Sequence, residues 1–198
     1  MKKLLIASAL LIIVLVYFFY PETVISYPTG VMAAEPPQQT NLTSGQKWTS
    51  REYTLEALAE YKIKARVLSR NNFSFGKESD LSPLDLALGW GPMSDQSVID
   101  KIDISQRNRW YNWQADVLPI PKKEISLNSA NVHIIPKDES VEDKFDKVYK
   151  GSLIEMKGYL VKVTTSGGWR WVSSLRRDDT SGGSCELFWV EEVIVLDR

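Results

Sequence analysis

Two residue types that carry much of enzyme chemistry are nearly missing: the chain of 198 residues has one cysteine, Cys185, and one histidine, His133. A single thiol excludes an intrachain disulfide, so a hydrophobic core must hold the fold even where an oxidising compartment would permit cross-links. No cluster of metal-ligand residues, no glycine-rich phosphate loop and no dinucleotide fingerprint occurs, so neither a metal nor a cofactor is expected. An excess of one charge is lacking too. The 24 Lys and Arg stand against 25 Asp and Glu, a formal net charge of −1. Nucleic acid needs a concentrated basic face and is not an expected partner.

Charge is also absent from one long run. Lys2 and Lys3 precede Leu4 to Tyr20, seventeen residues without a charge. As a helix such a run spans about 25 Å, enough for a bilayer core of about 30 Å once the flanking lysines reach outward. Basic residues stay on the cytoplasmic side, so the expectation is a single-pass bacterial membrane protein whose domain faces the extracytoplasmic, periplasmic side. A cleaved signal peptide followed by secretion is the competing reading. Against cleavage, the apolar run ends in bulky Val-Tyr-Phe-Phe-Tyr-Pro, and the nearest small-residue site, Val31 to Glu35, lies well beyond it. Residues 21–46 contain no lysine or arginine and are rich in Pro, Thr, Ser, Gly and Gln. That composition predicts a flexible linker. The chain therefore divides into an anchor at 1–20, a linker at 21–46 and one domain at 47–198.

Within the domain, Tyr61, Ile63, Ala65 and Val67 alternate with Glu60, Lys62, Lys64 and Arg66, the period of a half-buried strand. Ser82, Pro83, Asp85 and Gly89 carry the signals of a one- to two-turn helix, and Ser94 those of a second. "IDISQRNRWYNW" reads as a hairpin turning near Arg107 and Asn108, and "NVHIIP" as a short strand bearing His133. Val141, Phe145 and Val148 are spaced for an amphipathic helix ahead of Gly151. From Ser152 the chain is β-rich, with Gly158 in mid-strand where a bulge or sharp coil is usual. The fold class expected is α+β: a transmembrane helix, then one β-rich domain with short helices, its C-terminal half a small half-open barrel of the OB or SH3-like type.

The segments "LSPLDLALGWGPMSD", "SANVHIIP" and "GWRWVSSLRRDDTSGGSCELFWVE" together resemble a group of uncharacterised bacterial proteins that carry a signal or anchor segment ahead of one domain. The resemblance implies an envelope protein and names no substrate.

Two sets of candidate residues follow. A thiolate beside an imidazole is a recognised nucleophile, so Cys185 with His133, and Asn131 on the same strand face as His133, are the catalytic candidates. The order anchor, His, Cys is similar to that of sortases, although Gly-Gly-Ser stands before Cys185 in place of their Thr-Leu-x-Thr. This is the transpeptidase- or hydrolase-like alternative. The other set is aromatic. Trp90 in the Gly-Trp-Gly break, Trp113, Trp171 and the adjoining Arg170 could stack on and orient a ligand. The function expected from them is a non-enzymatic binding or accessory module whose partner is an envelope protein or a cell-wall glycan or peptide, with residues 4–20 engaging the membrane.

Overall fold

The computed structural model describes residues 23–176 and 185–196. The expected membrane segment, residues 4–20, lies outside them, and among the described residues no helix is long and apolar enough to cross a membrane. Ten strands dominate: β1 (Gln38–Asn41), β2 (Lys47–Ser50), β3 (Tyr53–Asn72), β4 (Leu84–Gly89), β5 (Asp103–Arg107), β6 (Trp110–Gln114), β7 (Ser129–Pro136), β8 (Leu153–Thr164), β9 (Arg170–Val172) and β10 (Glu186–Val195). Three short α-helices join them among the described residues: α1 (Gln96–Ile99), α2 (Lys122–Leu127) and α3 (Glu139–Phe145). The fold is a β-rich α+β domain.

Strand β3 organises the sheet because its 20 residues are long enough to serve two neighbours. Its first part pairs with β8 and its last part with β4, and register shifts at Ala57/Ala59 and Val67/Ser69 bend it between them. From β4 the pairing passes antiparallel to β7, parallel to β10 and antiparallel to β8, which returns it to β3. Strands from both halves of the chain make up this circuit, so the sheet is not confined to the C-terminal half as expected. Sequence-local reading cannot assign pairings between distant strands, whose closure entropy is offset only by the assembled sheet.

The alternation of β3 places Tyr61, Ile63, Ala65 and Val67 in the core against Leu86 and Leu88 of β4, Ile134 of β7 and Phe188 of β10. Helix α3 adds Val141 and Phe145, the spacing its sequence predicts, and Asp138 caps it by accepting from the Val141 N–H at 3.1 Å. Gly158 is required where β8 meets β10. A Cβ there would stand 2.0 Å from the Trp189 carbonyl oxygen, opposite a register shift at Val190/Glu192.

Three expectations need correction. "LDLALG" is strand β4 rather than a helix, and all six of its residues are buried. Leu84, Leu86 and Leu88 face the core and neighbours cover the other side, so two ladders outweigh the capping signals of Ser82 and Pro83. The cap of α1 is Asp95, whose carboxylate accepts from the Ser97 N–H at 2.9 Å. Ser94 instead accepts from the Met32 and Ala33 N–H groups at 3.1 and 3.0 Å. Finally, residues 23–46 do not form a free linker. Tyr27 and Gly30 donate to Gln96 and Asp95, Ala33 is buried, and β1 pairs with β3. The segment has too little apolar surface for a core of its own, but its backbone groups find partners on the domain.

Candidate functional site

On the outer face of the sheet, β4 presents Asp85 directly beside His133 of β7. Asp85 is fully buried, a lone carboxylate among leucines, and such a charge persists only with partners. Arg109 supplies one. The β5–β6 hairpin turns through Asn108 and Arg109, both left-handed at φ 51° and 62°, and this turn aims the guanidinium back at the sheet. Arg109 Nη1 donates to Asp85 Oδ1 at 2.8 Å, and Nη2 donates to the Ser82 carbonyl at 2.9 Å. His133 Nδ1 lies 2.9 Å from the same Oδ1 but outside hydrogen-bond alignment. Aromatic rings enclose the group: Phe73 sits 3.9 Å beneath the Arg109 guanidinium, and Trp171 stands 4.8 Å from the imidazole.

Beside this cluster opens a cleft of about 600 Å3. Trp110, Trp113, Lys122, Asn131, Cys185 and Glu186 are among the residues that line it. Asn131 is held from both sides: its Oδ1 accepts from Gln106 Nε2 at 2.7 Å, and its Nδ2 donates to the Arg109 carbonyl at 3.0 Å. The same Nδ2 lies 3.6 Å from Cys185 Sγ. Trp110 is 45% exposed. On the opposite face of β6, Tyr111 donates to Ser129 Oγ at 3.3 Å, and burial pushes its phenol up to about 12.

The structure thus brings two catalytic candidates, Asn131 and Cys185, together at the cleft. His133 shares a strand face with Asn131, but its ring is enclosed between Asp85 and Trp171 and the residue is only 4% exposed. Among the aromatic candidates, Trp90 borders the cleft yet is 2% exposed within the main core. Trp113 is half-buried against the cluster of Ala87, Met93 and Ile125, and Trp171 against that of Ile135, Leu187 and Trp189. Arg170 is exposed on β9. Sequence reading missed Asp85 and Arg109 as partners. The available signal was a single carboxylate inside "LDLAL" that no helix now accounts for. Among the described residues no cluster of three His, Cys, Asp or Glu side chains could hold a metal ion.

The fold and cleft define a class: a β-rich α+β domain with a cleft lined by aromatic and polar residues. No family model, curated protein or solved structure matches the chain.

Proposed function

We propose that the protein is a non-catalytic binding module of the bacterial envelope and that its ligand is a cell-wall glycan, held in the cleft between β7, β10 and the β5–β6 hairpin. One observation carries the reading. Trp110 presents an exposed indole at a cleft whose lining also includes the buried residues Asn131 and Glu186. A sugar ring offers an apolar face to such an indole and hydroxyls to polar groups of the lining. The same reading takes the circuit of β3, β4, β7, β10 and β8 as a small half-open barrel of the OB type, with a long bent first strand and parallel third and fifth strands. In that type the outer face of the second and third strands binds oligosaccharides or oligonucleotides, and here β4 and β7 hold that place. A near-neutral chain favours the sugar. The charge-free run at 4–20 supports an envelope location, with the domain carried at the membrane.

The test is titration of the full chain with an N-acetylglucosamine tetramer, followed by tryptophan fluorescence. A saturable change is expected, with affinity falling about tenfold in Trp110→Ala at unchanged circular dichroism. Absence of binding by the wild-type chain overturns the reading. The tetramer should be recovered intact. Cleavage that disappears in Cys185→Ser would replace the module by a thiol enzyme built on Cys185.

A further inference from the structure

A second cavity, of about 290 Å3, lies where the N-terminal segment crosses the domain, with Val24 and Ile25 at its border. Arg66 of β3 lines it and is 1% exposed, among the most completely enclosed side chains in the molecule. A guanidinium keeps its charge even when buried, so such a group is costly without a counter-charge. Its hydrogen-bond partners are neutral: the Ile25 carbonyl at 3.2 Å, the Ser94 carbonyl at 3.5 Å and Gln96 Oε1. Tyr27 adds a ring face at 4.8 Å. Among the described residues no carboxylate pairs with Arg66, and its Nε has no hydrogen-bond partner. Asp100 and Asp95 act on Arg66 through space, without an ion pair, and hydrogen-bond to other groups. Asp95 Oδ1 accepts from Gly30 and Ser97, and Asp100 Oδ1 accepts from Gln96 Nε2 at 2.6 Å.

The rest of the lining has a definite chemistry. Lys150 adds a second cation, Leu68, Ile99, Ile102 and Ile104 make an aliphatic wall, and Asp100 at the border disfavours a second negative charge. We infer that this cavity binds a small monocarboxylate with a short aliphatic tail, the carboxylate bridging Arg66 and Lys150 and the tail lying against Leu68, Ile102 and Ile104. A carboxylate would accept from the unpartnered Nε and make the direct ion pair that Asp95 and Asp100, acting on Arg66 only through space, do not make. The inference is independent of the glycan cleft, which shares none of these residues.

Hexanoate is the probe. Added to the full chain at constant ionic strength, it should raise Tm saturably and shift the Arg66 Nε–H resonance, whereas inorganic phosphate should do neither. Lys150→Met, at a half-buried position, should weaken hexanoate binding about tenfold by removing one charged contact. Ile104→Trp, which fills the cavity, should abolish it. The inference is overturned if hexanoate gives no saturable shift, if phosphate gives an equal one, or if Lys150→Met leaves the affinity unchanged. Should Ile104→Trp fail to fold, the lysine variant and the Arg66 resonance decide the question without it.

Discussion

Arg109 occupies a left-handed backbone conformation that costs a side-chain-bearing residue about 1 kcal/mol. What offsets this cost is its charged hydrogen bond to Asp85, made where the carboxylate is fully buried. The exchange is local in space but joins residues far apart in sequence, which is why neither stood out as a partner on inspection of "LDLAL" or "QRNRW". A carboxamide at position 85 would keep the shape and lose the charge. Asp85→Asn should therefore destabilise the fold by about 3 kcal/mol, the usual consequence of breaking a buried ion pair from one side. Urea denaturation at neutral pH measures this, and a loss well under 1 kcal/mol would mean that the pair contributes little. His133 was legible as a strand residue from its β-branched neighbours. Its enclosure between Asp85 and Trp171 was not, because Trp171 comes from a different hairpin.

The β5–β6 hairpin shows how one element can serve packing and binding together. Its alternation turns Tyr111 and Trp113 inward against Ala87, Met93 and Ile125, and turns Trp110 and Asn112 outward. The turn position was readable from Arg107 and Asn108, and the alternation from "WYNW". Which face meets the domain was settled by the surface on which the hairpin lands. Inward docking buries the Tyr111 phenol and pushes it up to about 12, with the hydrogen bond to Ser129 acting in the opposite sense. The unfolded chain ionises near the ordinary tyrosine value of about 10. The folded state therefore holds its proton longer, so the contribution is fully present below about pH 10 and is lost as pH rises through about 12. Stability should fall by roughly 3 kcal/mol across that window. Tyr53 is also shifted upward by burial, so the comparison that isolates the effect is wild type against Tyr111→Phe. Equal alkaline slopes in the two proteins would show that Tyr111 is not the source.

For the molecule as a whole, the consequential finding is that residues 23–46 belong to the domain. Ser94, Asp95 and Gln96 hold the stretch from Tyr27 to Ala33 by accepting from four of its backbone N–H groups, and β1 adds a ladder to β3. If residues 4–20 anchor the chain, the domain sits at the membrane surface rather than at the end of a tether. Limited thermolysin digestion of the folded chain should leave the Gly30–Val31 bond uncut, and Ser94→Ala should make it cleavable. Cutting at Gly30–Val31 in the wild-type chain as fast as in urea would restore the tether. Local sequence by itself determined the elements whose signal lies within one turn or one pleat: the alternating strand β3, the Asn108 turn, β7 around His133, helix α3 with its i, i+4, i+7 spacing, and the glycine at 158. Only the tertiary structure decided that "LDLALG" is a strand, that β3 joins β8 to β4, that the proline- and glutamine-rich segment docks, and that Asp85 meets Arg109. Each of these depends on partners distant in the chain. Their burial and pairing free energies exceed the local preferences that a sequence displays, and they exist only once the sheet has assembled.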